Sequence, residues 1–339
     1  MISIIYGTRP EFLKLKTVIS YLYETKSISF NIIRISQHNN IYDDMPHIYD
    51  SNIHELHIDD KDDNKENRLS SIGSNILLKL PQLIKDSTHI LIQGDTASCF
   101  YSALCAYQMG KKIIHLEAGM RTYDLYNPFP EEGYRQMISR ISDIHLCPSF
   151  NEKNNLLKEN INNNIYIVGN TILDLVKTYN INTTRENKVL ITLHRRENWT
   201  LFKDYLIELI KLAINNPILS FYFILHPNPS FKKIWDDINH IPDNIFIKPP
   251  INHKELIELL SSCNYVITDS GGIQEEANFL GKHMYVLRKQ TERTAIKNIT
   301  LCDLENVSKI KDTEKDNEYG YEYGYGYSTL KVIKILMNI

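Results

Sequence analysis

The sequence has no C-x-x-C pair. Its five cysteines, Cys99, Cys105, Cys147, Cys263 and Cys302, are odd in number and scattered through 339 residues. That excludes a zinc ribbon or a disulfide framework and reads as buried free thiols in a reducing compartment, so the expected location is cytoplasmic. No uninterrupted apolar stretch approaches a membrane span. There is no basic excess: 38 Lys and Arg stand against 41 Asp and Glu, a formal net charge of -3. Such a chain has no global field to hold a nucleic-acid backbone or an anionic membrane, so neither is expected as a partner. No basic leader precedes Ile2-Ser3-Ile4-Ile5-Tyr6, which runs into a Gly-Thr-Arg-Pro turn and reads as a strand, not a signal peptide.

What is present is a globular composition. Hydrophobic residues make up 42% and charged residues 23%, which excludes wholesale disorder. The length suggests two domains of ordinary size. Short β-branched runs at 3–6, 30–36, 89–93, 112–116, 144–147 and 166–168 alternate with amphipathic stretches such as 10–23 and 72–83. A second series follows at 188–193, 221–225, 245–247, 265–268 and 284–287, with helical patterns at 202–214, 253–261 and 273–280 between them. Strand–helix alternation implies α/β architecture with parallel sheets covered on both faces. Two series imply two doubly wound domains meeting near 169–188, with ligands beyond the carboxyl ends of the strands and the cleft between domains as the expected site. The Tyr/Gly stretch at 318–327 has a low-complexity composition. The apolar helical pattern at 329–337 must dock somewhere, so the stretch is expected to join two ordered parts.

Four segments could carry chemistry. Gly7-Thr8-Arg9-Pro10-Glu11 follows the first strand: either its backbone N–H groups and Arg9 face an anion, or it is an ordinary capped helix start. Thr268-Asp269-Ser270-Gly271-Gly272 opens a helix after an apolar strand. Its glycines and positive dipole end favour a phosphate, with Glu275 or Glu276 placed to accept from ribose hydroxyls. Asp95 and Glu117 sit on short Gly-containing strand exits, and Glu131 and Glu132 open a helix with Arg135 one turn from Glu131. Acids at the ends of neighbouring strands converge, raise one pKa and make an acid/base set. Finally, His194-Arg195-Arg196-Glu197-Asn198 and His226-Pro227-Asn228-Pro229 end adjacent strands, where cations suit a diphosphate and His194 could transfer a proton.

Taken together and in order, these segments resemble the non-hydrolysing UDP-N-acetylglucosamine 2-epimerases. The matching motifs are Gly7-Thr8-Arg9-Pro10-Glu11 with Lys14, Gln37-His38, Gly94-Asp95-Thr96, Glu117-Ala118-Gly119-Met120-Arg121-Thr122, Pro130-Glu131-Glu132 with Arg135, Gly169-Asn170-Thr171, His194-Arg195-Arg196-Glu197-Asn198, His226-Pro227-Asn228-Pro229, Asp269-Ser270-Gly271-Gly272-Ile273-Gln274-Glu275-Glu276-Ala277 and Thr291-Glu292-Arg293. The resemblance implies a GT-B fold of two Rossmann-like domains, 1–168 with the returning helix 328–339, and 169–327, usually as a homodimer. It also gives Tyr323-Gly324-Tyr325-Gly326 a counterpart, a Tyr-Gly-Asp-Gly segment before the last helix. Ser139-Arg140 departs from the family's Asp-His, Thr294-Ala295 from its Pro-Glu, and Leu256 stands where an aromatic commonly faces the uracil.

The activity implied is inversion at C2 of a UDP-2-acetamido sugar, by elimination of UDP to a 2-acetamidoglycal and re-addition, with no cofactor and no metal. Asp95, Glu117 and Glu131 are assigned the acid/base work, with His194 as a fourth catalytic residue. Arg9, His194, Ser270, Gly271 and Gly272 would hold the diphosphate and Glu276 the ribose. Arg135 would position Glu131 or the sugar, and Lys14, Gln37, His226 and Arg293 complete the substrate- and UDP-binding set. The substrate would be the UDP-GlcNAc/UDP-ManNAc pair or a 6-deoxy-L relative of the UDP-L-RhaNAc type. A GT-B glycosyltransferase would need an acceptor site and not three first-domain acids. A hydrolysing epimerase carries an Arg-Ala-Asp version of the first motif, absent here. A nucleotide-sugar sensor would need no acids.

Overall fold

The computed structural model describes residues 1–36, 52–58, 68–193, 199–225, 234–236, 238, 240–312 and 318–339. The chain divides into two compact units, Met1–Leu175 with Tyr323–Ile339, and Val176–Glu322. These boundaries lie a few residues inside the sequence-based ones at 168 and 328, because 169–174 and 323–327 pack within the first unit. Asn170 donates its N–H to the Tyr323 carbonyl at 2.8 Å, and Asp174 accepts from the amides of Ser328 and Thr329 at 2.9 and 2.6 Å.

The first unit holds a seven-stranded sheet: β1 (Ile2–Tyr6), β2 (Phe30–Ser36), β3 (Ile53–His57), β4 (His89–Gln93), β5 (Lys112–Leu116), β6 (Ile144–Cys147) and β7 (Ile165–Ile167). Its order is β3-β2-β1-β4-β5-β6-β7, and every pairing is parallel. Helices α1 (Arg9–Thr25), α2 (Arg68–Ile84), α3 (Ala97–Gln108), α4 (Glu131–Ile141), α5 (Phe150–Lys158) and α6 (Thr171–Thr178) connect the strands or follow them. The central strands are apolar along their length because both faces are covered. Ile4, Leu91 and Ile114 pack with Phe12, Leu15 and Ile19 of α1 on one side, and Ile5, Ile90 and Ile113 with Ile76, Leu80 and Ala103 on the other.

The second unit repeats the plan with β8 (Lys188–Thr192), β9 (Ser220–Ile224), β10 (Ile245–Lys248), β11 (Tyr265–Thr268), β12 (His283–Val286) and β13 (Ile299–Leu301) in the order β10-β9-β8-β11-β12-β13, again all parallel. Among the described residues its α-helices of eight residues or more are α7 (Phe202–Asn215), α8 (His253–Ser262) and α9 (Gly271–Phe279). The last helix, α10 (Ser328–Leu336), returns to the first unit, where Val332, Ile333 and Leu336 join the core beneath α1. This is the expected GT-B class of two Rossmann-like domains. Each sheet reverses its order at one point, between β1 and β4 and between β8 and β11, and the crevice at such a point is where this architecture binds ligands.

Two strands were not foreseen. β3 and β13 lie at sheet edges, and their sequences, Ile-His-Glu-Leu-His and Ile-Thr-Leu, bury little; only Leu56 of β3 is buried. Neither carries the apolar β-branched run by which the edge strands β7 and β10 were recognised.

Candidate active site

At the exit of β1, Thr8 caps α1 and Glu11 answers it in a capping box. Glu11 Oε2 accepts the amides of Gly7 at 2.6 Å and Thr8 at 2.8 Å, and its Oε1 accepts the Thr96 hydroxyl. Of the two readings of this turn, helix capping therefore describes the backbone: its N–H groups already serve a carboxylate of the same chain. Arg9 lies beside them at the helix start, half-buried. Glu11 is buried, and desolvation outweighs its four hydrogen bonds, pushing its carboxyl up to about 7 from 4.5. Between those values the folded state holds a proton that the unfolded chain releases. This contribution to stability is therefore full below about pH 4.5 and lost as pH rises through about 7. Between pH 5 and pH 8 the wild type should lose about 2–3 kcal/mol relative to Glu11→Gln, which carries no such titration. Urea unfolding of both proteins at the two pH values measures this; a parallel pH response would refute it.

β4 exits through Gly94, whose φ of +80° favours glycine. Asp95 follows, and its Oδ2 accepts from Arg135 Nε of α4 at 2.7 Å, while the carboxylate remains 27% exposed. Arg135 also reaches Glu132 at 3.2 Å. β5 exits through Glu117, a non-glycine residue at φ +69°. Its Oε1 takes Lys14 Nζ at 2.6 Å and its Oε2 takes the Gln93 amide. Lys14, expected as a substrate-binding residue, thus directs its ammonium at a carboxylate of the acid set. Asp95 and Glu117 follow neighbouring strands at the same edge of the sheet, since β4 and β5 pair in parallel with Gln93 opposite Leu116.

The two adjacent glutamates of α4 separate cleanly. Glu132 is fully buried and clips the preceding loop through the amides of Thr122 and Tyr123 at 2.9 and 3.2 Å. Glu131 stands half-buried in the first turn, where the helix N-terminus favours an anion. Arg121 is structural: it pairs with Glu159 at 2.7 and 3.0 Å and donates to Ser139 Oγ at 2.9 Å. Ser139 thus has a defined place in this chain, since its hydroxyl also donates to the Arg135 carbonyl at 2.8 Å.

In the second unit Ser270 is the N-cap of α9, with no side-chain cap bond of its own. A Cβ on Gly271 would lie 2.4 Å from Arg293 Nη1, so a side chain there would have to displace the guanidinium. A Cβ on Gly272 would meet nothing within 4 Å, so packing does not demand glycine there. Arg293 is buried behind the turn. Its Nε donates to Glu275 at 3.0 Å and its Nη1 to Glu292, which also meets Arg288 at 2.9 Å. Glu276 Oε1 lies 2.7 Å from His253 Nε2, and His253 Nδ1 lies 2.9 Å from the Tyr179 hydroxyl.

The described residues therefore place Arg9, Lys14, Asp95, Glu117, Glu131 and Arg135 at strand exits or helix starts of the first unit, and Ser270, Gly271, Gly272, Glu276 and Arg293 around one turn of the second. Gln37, His194 and His226 lie outside the described residues; β8 ends at Thr192, just before His194. Sequence reasoning did not single out Gln93, His253 or Tyr179, and gave Glu11 only a capping role. Among the described residues no three His, Cys, Asp or Glu side chains are grouped to hold a metal ion, and no helix is long and apolar enough to cross a membrane.

A family model described as UDP-N-acetylglucosamine 2-epimerase matches residues 21–336. The UDP-N-acetylglucosamine 2-epimerase of Campylobacter jejuni is 34% identical over 318 residues, covering 86% of this chain and 82% of that protein. The crystal structure of the Neisseria meningitidis UDP-GlcNAc 2-epimerase bound to UDP-GlcNAc superposes with a TM-score of 0.88 at 29% identity, over 100% of both chains. A spinosyn rhamnosyltransferase complexed with thymidine diphosphate is similar in fold alone, with a TM-score of 0.51 at 12% identity over 85% of this chain and 80% of that one. With its doubly wound sheets and its ordered motifs from Gly7 to Arg293, this chain belongs to the non-hydrolysing UDP-N-acetylglucosamine 2-epimerase family.

Proposed function

We propose that this epimerase interconverts the C2 epimers of a UDP-2-acetamido sugar by elimination and re-addition of UDP. The observation that carries the reading is the set of three carboxylates at the switch-point side of one sheet, two of them held by cations: Asp95 by Arg135 and Glu117 by Lys14. A carboxylate held by a cation is oriented, as a proton-transfer group must be. One carboxylate takes the C2 proton, the C2–H electrons form the C1=C2 bond, and UDP departs with the C1–O electrons. UDP then re-adds at C1 while an acid delivers a proton to the opposite face of C2. Asp95, Glu117 and Glu131 carry these proton transfers.

The turn at Ser270, Gly271 and Gly272 holds the diphosphate, where backbone N–H groups and the helix dipole favour phosphate. His194 and Arg9 supply further positive charge and Glu276 binds the ribose, with Lys14, Gln37, His226 and Arg293 completing the substrate- and UDP-binding set. Charge positioned where the leaving phosphate develops it lowers the barrier. The substrate is UDP-GlcNAc with its manno epimer or a 6-deoxy-L relative, and the protein acts as a homodimer in the cytoplasm.

Turnover in deuterated water tests the mechanism. An enzyme base takes the C2 proton and an acid exchanged with solvent delivers the new one to the opposite face, so every epimerised sugar should carry deuterium at C2, read by NMR. Epimerisation with C2 hydrogen retained would exclude elimination.

A further inference from the structure

The turn that carries Asp95 is held on both flanks by residues with no assigned part in the reaction. On one flank, the Gly94 carbonyl accepts from His115 Nε2 at 2.8 Å and from the Cys99 thiol at 3.3 Å, while the Gly94 amide donates to Leu116 at 3.1 Å. A carbonyl only accepts, so Nε2 of His115 must carry the proton and Nδ1 is left as a bare acceptor. That Nδ1 is buried and has no hydrogen-bond partner among the described residues. Burial lowers His115 to about pKa 4, so the ring is neutral near pH 7 and the tautomer is set by the Gly94 bond. A buried, unsatisfied nitrogen is costly, and the bond made by its other nitrogen offsets that cost. On the other flank, the Thr96 hydroxyl donates to Glu11, the same carboxylate that gathers the Gly7 and Thr8 amides. Glu11 thereby ties the turn after β4 to the turn after β1, its neighbour in the sheet.

We propose that His115 and Glu11 are positioning residues for the epimerisation: through the Gly94 carbonyl and the Thr96 hydroxyl they fix the backbone on either side of Asp95 and so aim its carboxylate. The proposal rests on the assignment of Asp95 to proton transfer. Arg135 orients the Asp95 side chain, but a side chain can be no better placed than the Cα that bears it. Proton transfer requires heavy atoms at hydrogen-bond distance. The turn needs such bracing because Gly94 adopts a conformation that glycine enters and leaves freely.

The test compares isosteric loss with conservative rescue. His115→Leu keeps the bulk and removes the donor; His115→Gln returns an amide N–H near the position of Nε2. Thr96→Val removes the hydroxyl that Glu11 accepts, and Thr96→Ser restores it. His115→Leu and Thr96→Val should each lower kcat about 10- to 100-fold, the scale of a displacement near 1 Å. KM and the Kd for UDP should stay within about threefold, since neither variant touches ground-state binding. His115→Gln and Thr96→Ser should recover most of kcat. Unchanged kcat in the apolar variants, or an equal fall in the conservative ones, would overturn the proposal. If His115→Leu fails to fold, His115→Asn, whose amide falls short of the Gly94 carbonyl, replaces it with the same expected loss. Asp95→Asn is measured alongside. Near-full turnover there would overturn the Asp95 assignment and this proposal with it. Lost turnover there beside intact His115→Leu and Thr96→Val would overturn this proposal alone.

Discussion

Asp95→Asn, Glu117→Gln and Glu131→Gln are each expected to lower turnover about 10²–10⁴-fold, the usual contribution of a general acid or base. The substitutions are isosteric, so the change is one of charge and proton affinity. In Asp95→Asn the amide cannot take a proton, and Arg135 keeps Glu132 as a partner at 3.2 Å, so the guanidinium stays satisfied. In Glu117→Gln the ammonium of Lys14 loses its anionic partner at 2.6 Å, and this variant should show some loss of stability besides the loss of rate. The three residues lie in the first unit, whereas the proposed diphosphate turn lies in the second. UDP affinity measured by calorimetry should therefore stay near that of the wild type in all three. Near-full turnover in all three variants would remove the carboxylates from the mechanism, and a parallel collapse of UDP affinity would recast them as binding groups.

Arg293→Met is expected to cost about 3–5 kcal/mol of stability, the scale for removing one partner of a buried ion pair. Glu275 and Glu292 have fully buried side chains, and the guanidinium of Arg293 bridges them. Arg288 still reaches Glu292 at 2.9 Å, but Glu275 loses the cation that lies 3.0 Å away. Urea unfolding with an unchanged slope reads the difference directly. An unaltered midpoint would mean that this network adds nothing to the fold. The two glycines in front of Arg293 should respond in opposite ways. Gly271→Ala drives a methyl to 2.4 Å from the guanidinium and should cost about 1–3 kcal/mol by overpacking. Gly272→Ala meets no protein atom, so the fold should be kept while UDP binding weakens, because the methyl enters the space where the phosphate would approach.

Much of the architecture was legible from the chain because central parallel strands are buried on both faces. A run such as Lys112-Ile113-Ile114-His115-Leu116 or Tyr265-Val266-Ile267-Thr268 has one stable use, and the structure places strands on both runs. Strand exits were legible for the same reason: where the apolar run stops, the next polar residues stand at the carboxyl edge, and Asp95, Glu117 and Ser270 all do. The edge strands Ile53–His57 and Ile299–Leu301 were not, because pairing with one neighbour lets polar or exposed side chains stand in a strand.

Partners were the part that the chain could not disclose. Thr96 meets Glu11 across 85 residues, Lys14 meets Glu117 across 103, and Arg121 meets Glu159 across 38. The sequence by itself determined the alternation of strands and helices, the loops that carry acids and glycines, and the family they resemble. The tertiary structure alone decided which carboxylates are held by cations, which glutamate of the α4 pair clips a loop, and that the Gly7 and Thr8 amides already serve Glu11. The physical reason is that periodicity reports each residue's exposure within its own element, whereas a contact between elements depends on strand order. Only the placement of β4 between β1 and β5 brings the exits of all three strands together.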